Sequence, residues 1–237
     1  MSRITDNPVF CALDMQEVRA ASAMAEELAG KVGGLKLGLE FFMANGPDGI
    51  RSVTEAAGLP YFLDLKLHDI PNTVAGAVRS VMPLEPNYLS IHTTGGPAMM
   101  EAAVKAARQA GNSKTRILGI TVLTSLDGSD LNAVGVNRDP GDQVEALACL
   151  AKDCGLDGVV CSPMEVARLR SICGPEFDLV IPGIRPAGAE VGDQKRVMTP
   201  SEALTAGADV LVIGRAITQA IDPAAAAAAI AADIAGR

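Results

Sequence analysis

The residues best suited to chemistry lie in one short run, LDLKLHDIPNT, over residues 63–73. Successive residues of a strand point to opposite faces, so Asp64 and Lys66 share one face and point into the protein if their leucine neighbours pack outward. Buried charges must be paired, which predicts an alternating array in which Lys36 of the preceding strand and Asp69 take part. A fixed ammonium in such an array can stabilise negative charge on a substrate and donate a proton.

The energy scale of this array favours a functional role. Opposite unit charges about 4 Å apart attract by roughly 4 kcal/mol at an effective dielectric of 20, before desolvation is counted. The alternative is an ion-pair network that only stabilises the protein. We favour catalysis, because apolar packing would stabilise a buried site more effectively than four charges.

A second charged segment predicts a phosphate site. The run PGIRPAGAEVGDQKRV over residues 182–197 is polar and rich in glycine, and the last predicted strand ends with Gly214 and Arg215. Glycine lets a backbone approach an anion, and arginine supplies a permanently charged fork of donors. Arg185 and Gln194 could close over the ligand from the long loop. The alternative for the loop alone is a solvated surface segment.

The elements that must position these residues alternate between strands and helices. Each helix-like segment has apolar residues at helical spacing, and a glycine follows it closely. The strand-like runs cover residues 9–14, 34–40, 61–66, 88–93, 116–123, 158–162, 178–184 and 209–215. Eight such units predict an α/β fold, a (β/α)8 TIM barrel forming a single domain over residues 1–237, with an open doubly wound sheet as the second choice.

Polar residues gather at the carboxyl ends of the predicted strands, the end that carries the chemistry in barrel enzymes. They are Asp14, Lys36, Asp64, Lys66, His92, Thr124, Ser162, Arg185 and Arg215. The simpler alternative is that strand ends are more solvated than strand middles. That alternative explains single polar residues better than it explains two Asp–Lys pairings. For His92 we favour a hydrogen-bonding role at the barrel mouth over contact with the array.

Local signals also predict where two helices begin. Pro71 directs the chain out of the charged strand, and Asn72 or Thr73 is expected to cap the helix that follows. Near the end of the chain, Asp222 and Pro223 are expected at the N-cap and first position of an alanine-rich helix.

Composition excludes several classes of function. The net charge of −8 argues against a nucleic-acid partner, and no apolar run is long enough to predict a membrane span. The five cysteines form no CxxC pair and the two histidines complete no zinc pattern, so no metal site is expected. Reduced thiols in a cytosolic protein are the simplest account of the cysteines. Cys11 and Cys161 are expected in the core. The first residues lack a signal-peptide pattern, and we expect a cytoplasmic protein with an aliphatic core.

The chain resembles the bacterial orotidine 5'-phosphate decarboxylases over almost its whole length. The long loop is the most specific match, and one mild departure is LKLG, where KVG is commoner. The matching segments are ALD (12–14), LKLG (35–38), FLDLKLHDIPNT (62–73), HTTGG (92–96), TVLTS (121–125), GLDGVVCS (155–162), PGIRPAGAEVGDQKRVMTP (182–200) and VIGRAITQAIDP (212–223).

This resemblance implies decarboxylation of orotidine 5'-phosphate to uridine 5'-phosphate (UMP) in pyrimidine synthesis, without a metal or organic cofactor. It implies a homodimer in which Asp69 reaches the partner's site and Lys66 is the proton donor, with Asp64 and Lys36 completing the catalytic set. The substrate-binding residues that it implies are Asp14, Lys36, Asp64, Ile70, Thr73, Thr124, Ser125, Arg185, Gln194, Gly214 and Arg215.

Two other functions stay open on the sequence alone. A metal-dependent sugar-phosphate lyase or aldolase could use the same D-x-K-x-x-D strand, and a magnesium requirement would favour it. A non-catalytic phosphate-binding protein could keep the barrel without the chemistry. Tight UMP binding without turnover would favour that alternative.

Overall fold

Eight parallel strands form a closed barrel in the computed structural model, which describes residues 4–111, 114–185 and 198–236. Each strand pairs with its neighbours in sequence, and the first pairs with the last. The strands are β1 (Val9–Ala12), β2 (Gly34–Gly38), β3 (Tyr61–Leu67), β4 (Tyr88–His92), β5 (Arg116–Ile120), β6 (Gly158–Val160), β7 (Asp178–Ile181) and β8 (Val210–Ile213). The predicted (β/α)8 barrel is confirmed and the open sheet is excluded. A single domain over 1–237 stays a prediction, supported by the β1–β8 pairing.

Helices follow the strands and cover the barrel from outside. Their bounds are α1 (Val18–Leu28), α2 (Leu39–Ala57), α3 (Pro71–Val81), α4 (Pro97–Gln109), α5 (Gly128–Ala133), α6 (Pro140–Asp153), α7 (Val166–Cys173), α8 (Pro200–Ala206), α9 (Arg215–Thr218) and α10 (Pro223–Ala235). None of the described helices is long and apolar enough to cross a membrane.

Most predicted strands run too far at their carboxyl ends. Leu39 already begins α2 and Arg215 already begins α9, although both were assigned to strands. The polar residues there leave the sheet and turn into the loops at the barrel mouth, where their side chains are not confined to two faces. The shorter strands therefore leave more of the chain to build that mouth.

One of the two helix starts was predicted correctly. Asp222 caps α10, because its side chain accepts a hydrogen bond of 2.8 Å from the Ala225 N–H, and Pro223 follows at the first position. The cap predicted for α3 is wrong. That helix begins two residues earlier than Thr73, with Pro71 at its first position and no side-chain cap, because the fixed φ of proline already suits a helix start.

Two apolar layers support the barrel. The larger one lies between strands and helices, and Cys11 and Cys161 are buried in it as predicted. The smaller one fills the barrel interior with Phe10, Ala12, Phe62, Tyr88, Leu118, Val180, Val210 and Val212. The prediction of a wholly aliphatic core is wrong at this point. Three of the seven aromatic residues meet inside the barrel, with ring centroids 5.9 and 6.1 Å apart in edge-on contacts.

A polar group closes the opposite end of the barrel from the predicted site. At the first residues of three strands, Arg116 forms a 2.6 Å ion pair with Asp178, which also accepts a 3.0 Å hydrogen bond from the Tyr88 hydroxyl. Both charged side chains are at least 85% buried. Burial raises the pKa of Asp178 to about 6, although the positive charge of Arg116 acts in the opposite direction. Loss of solvation therefore outweighs the ion pair at this carboxylate.

Candidate active site

A cavity of about 260 Å³ opens at the carboxyl ends of the strands. Apolar side chains such as Phe62, Ile120 and Val212 form its floor and walls. The sequence-predicted residues that line it are Asp14, Lys36, Asp64, Lys66, Thr124, Arg185, Gly214 and Arg215. The barrel thus brings together side chains that are up to two hundred positions apart in sequence.

Lys66 and Asp64 form the most enclosed charge pair at the cavity. The Lys66 ammonium donates to Asp64 Oδ2 over 2.6 Å, and the two side chains are 29% and 8% exposed. Strand alternation correctly predicted that both face the interior. It did not predict the backbone, since Lys66 has a φ of 48° in the left-handed region, which is uncommon for a residue with a Cβ.

Lys36 and Asp14 form a second pair at 2.7 Å, on β2 and just beyond β1. Lys36 is enclosed, with 13% of its side chain exposed, whereas Asp14 is 56% exposed. Gly38 makes room for this pair, because a Cβ there would lie 3.2 Å from Lys36 Nζ. Among the described residues, two lysine–aspartate pairs therefore take the place of the predicted four-member array.

Asp69 lies outside the cavity lining that the described residues form. Its carboxylate is exposed and accepts a 2.6 Å hydrogen bond from the Ile70 N–H. Ile70 itself is 66% exposed, and Thr73 and Ser125 are also exposed and away from the cavity. The chain leaves the barrel directly after β3, which carries Asp69, Ile70 and Thr73 outward.

Arg185 and Arg215 are neighbouring charges in the cavity lining. Desolvation lowers the pKa of Arg185, and the neighbouring positive charge of Arg215 lowers it further. Two neighbouring guanidiniums attract an anion and offer it forked hydrogen-bond donors, so this corner of the cavity suits a phosphate. Gly214 lies against β1, where a Cβ would be 3.3 Å from the Ala12 Cβ. The predicted Gln194 lies outside the described residues.

His92 contacts a histidine and not a hydrogen-bonding network. Its ring lies 5.3 Å from the exposed ring of His68, centroid to centroid. Burial lowers the pKa of His92, and the charges of His68 and Lys66 lower it further. The favoured hydrogen-bonding role has no support among the described contacts, and His92 is not part of the cavity lining that they define.

Ser90 is a residue of the site that the sequence predictions missed. It is fully buried on β4, donates to Asp64 Oδ1 over 2.7 Å and accepts from the Lys66 N–H over 2.9 Å. The signal was available, because strand alternation puts Ser90 on the same face as His92 in an otherwise apolar strand.

The lining contains lysines, arginines and only two carboxylates. Within the described ranges, no group of three or more histidine, cysteine, aspartate or glutamate side chains is placed to hold a metal ion. All five cysteines are free thiols, and burial raises the pKa of Cys11, beneath the Lys36–Asp14 pair, to about 12. Its thiol is therefore protonated at neutral pH and is a packing residue.

The fold and the site together define a barrel enzyme with a cationic mouth for an anionic small molecule. The chain belongs to the orotidine 5'-phosphate decarboxylase / HUMPS family, whose model matches residues 7–230.

Individual relatives extend this likeness over the whole chain. Proteins named orotidine 5'-phosphate decarboxylase from Paramagnetospirillum magneticum and Rhodospirillum rubrum are each 54% identical to it. The matches cover 96% and 100% of this chain and 98% and 97% of the relatives. A crystal structure of orotidine 5'-phosphate decarboxylase from Lactobacillus acidophilus is 37% identical and superposes with a TM-score of 0.82, covering 97% of this chain and 99% of that one.

Proposed function

We propose that this chain converts orotidine 5'-phosphate to UMP and carbon dioxide by direct decarboxylation, in the synthesis of pyrimidine nucleotides. Family membership and the near-complete match to named decarboxylases support the activity. The observation that carries the residue assignment is the 2.6 Å Lys66–Asp64 pair on the wall of a cavity that also holds two arginines.

Lys66 is the proton donor in this proposal. Loss of carbon dioxide from C6 of the pyrimidine leaves an electron pair with no adjacent carbonyl to delocalise it. An ammonium held in place needs no reorganisation to stabilise that charge, and it can then protonate the carbon. The hydrogen bond to Asp64 restricts the ammonium to one position, which is what such preorganisation requires.

We assign to Asp64 a place beside the substrate carboxylate, because it holds the ammonium that would protonate C6. Only 8% of its side chain is exposed, so its charge acts through a poorly solvated environment. It therefore favours departure of a neighbouring carboxylate as neutral carbon dioxide, besides holding Lys66. Lys36 and Asp14 offer one donor and one acceptor at the cavity rim, which suits the ribose hydroxyls.

Arg185 and Arg215 bind the 5'-phosphate in this proposal. Both line the cavity that also holds Lys66, so we assign the phosphate to the two arginines and the pyrimidine to the lysine. Binding energy from the phosphate can then orient a ring whose reacting carbon it does not touch. Thr124, also in the lining, is assigned to the same ligand.

We also propose a homodimer in which Asp69 enters the partner's site, together with Ile70 and Thr73. Support comes from exposure, because all three side chains are exposed and none is among the described residues that line the cavity. An apolar side chain that is 66% exposed, as Ile70 is, gains stability when a partner covers it.

The decisive experiment follows the loss of orotidine 5'-phosphate absorbance in the presence of a chelator. Turnover is expected to continue, and Lys66→Ala is expected to remove nearly all of it while the circular dichroism spectrum stays folded. Lys105→Ala is the matched control, since Lys105 is exposed on α4. Absence of turnover, or turnover that needs added magnesium, would contradict the proposal. An active Lys66→Ala variant would contradict the role of Lys66.

A further inference from the structure

Strand β3 breaks its pairing with β4 at the point where the charged residues lie. Leu63 pairs with Leu89 and Leu67 pairs with Ile91, so three residues of β3 stand opposite one residue of β4. That single residue is Ser90. A regular parallel ladder would leave no such excess, so β3 bulges at Asp64, Leu65 and Lys66.

The Ser90 hydroxyl takes the place of the missing ladder contact. It accepts from the Lys66 N–H over 2.9 Å, which is the backbone group of the residue in the left-handed conformation. A buried N–H needs a partner, and the bulge has moved it away from the β4 carbonyls. The hydroxyl therefore stabilises the one backbone conformation that lets Lys66 turn towards Asp64.

The same hydroxyl also fixes the carboxylate. Ser90 donates to Asp64 Oδ1 over 2.7 Å, while Asp64 Oδ2 accepts from the Lys66 ammonium over 2.6 Å. The contacts close a ring that runs from the Lys66 N–H through Ser90 and Asp64 to the Lys66 ammonium. Both oxygens of Asp64 are thus occupied, and neither side chain can rotate without breaking a short hydrogen bond.

We propose that Ser90 is a positioning residue for the decarboxylation, acting through Asp64 and Lys66 without touching the substrate. This inference rests on the proposed function. Ser90 is fully buried and lies outside the cavity lining defined by the described residues. Its loss should therefore affect the chemical step and leave substrate binding nearly intact.

The test compares Ser90→Ala with Thr115→Val. Thr115 is also fully buried and donates one 2.6 Å hydrogen bond, to the Pro86 carbonyl just before β4 at the other end of the barrel. Ser90→Ala is expected to lower kcat at least about tenfold, the effect of one hydrogen bond to a charged group. KM and the affinity for UMP should change by less than about threefold, because the phosphate and ribose contacts remain. Thr115→Val should lower the thermal midpoint but leave kcat unchanged.

A third variant keeps the test decisive if Ser90→Ala folds poorly. Ser90→Cys keeps the shape of the side chain but donates only weakly, so its kcat should lie between those of the wild type and Ser90→Ala. A crystal structure of either variant should show the Lys66 φ or the Lys66–Asp64 distance changed.

Each outcome has a defined reading. If the wild type does not turn over, the proposed function fails. If the wild type is active and folded Ser90→Ala keeps a kcat within about twofold of it, only the positioning role fails. Where Ser90→Ala does not fold, a Ser90→Cys kcat equal to that of the wild type overturns the positioning role in the same way. A loss seen in KM alone, or an equal loss of kcat in Thr115→Val, also overturns the positioning role.

Discussion

Asp178, at the end of the barrel remote from the site, should make the stability of the protein depend on pH in an unusual direction. Its pKa of about 6 in the folded protein compares with 3.8 for an unperturbed carboxyl group. The folded chain therefore binds this proton more tightly than the unfolded chain does. Proton binding at Asp178 therefore adds to the free energy of unfolding. This contribution is complete below pH 3.8 and is lost as the pH rises through about 6.

The size of the effect follows from these two values. Relative to the fully ionised carboxylate, proton binding adds about 1.4 kcal/mol to the free energy of unfolding at pH 5 and under about 0.1 kcal/mol at pH 7. The difference is about 1.3 kcal/mol. The Asp178 side chain is only 15% exposed, so solvent screening reduces this difference little.

The measurement is urea unfolding of the wild type and Asp178→Asn at both pH values. Asparagine keeps the shape of the side chain but does not titrate, and the cost of leaving Arg116 without its counter-charge appears at both pH values. The free energy of unfolding of the wild type, minus that of Asp178→Asn, should therefore be larger at pH 5 than at pH 7 by about 1.3 kcal/mol. Asp48→Asn is the control, because the Asp48 side chain is 95% exposed. A difference that is equal at the two pH values, or larger at pH 7, would refute the reasoning.

Two further predictions concern the charged strand. Mixing inactive Asp69→Ala with inactive Lys66→Ala protein should restore part of the activity if Asp69 acts across subunits, because a mixed dimer holds one intact site. No recovery, despite demonstrated exchange of subunits, would exclude that role. In urea unfolding, the free energy of unfolding of Lys66→Gly should exceed that of Lys66→Ala by roughly 0.5–1 kcal/mol. The reason is that only glycine removes the strain of the left-handed φ of 48°. Equal stability of the two inactive variants would mean that the backbone at this position stores no strain.

The sequence was sufficient for the barrel and for most of the cavity. The alternation of apolar strands with helices predicted eight crossovers, and polar residues at strand ends predicted which end carries the site. This worked for Lys36 and Arg215, whose places follow from chain direction alone. It did not place Asp69 outside the cavity lining, because the chain direction after a strand depends on packing and not on local pattern.

The remaining features depend on register and on contacts between distant segments. A two-residue period cannot reveal that β3 and β4 change register, so the role of Ser90 stayed hidden although its residue type was visible. The group of Tyr88, Arg116 and Asp178 was missed for a related reason. These residues begin three separate strands, and only the closed ring brings them together.

Strand β4 is only five residues long, yet each of its inward-facing residues makes a different kind of contact. The Tyr88 hydroxyl donates to Asp178 at the end of the barrel remote from the cavity. Ser90 completes the ring of hydrogen bonds with Asp64 and Lys66, and the His92 ring lies against that of His68. A substitution on this face must therefore alter stability, catalysis or the surface that follows β3. In a library of all single substitutions, the inward face of β4 should be among the least tolerant parts of the barrel, and its middle position should lose activity while keeping the fold.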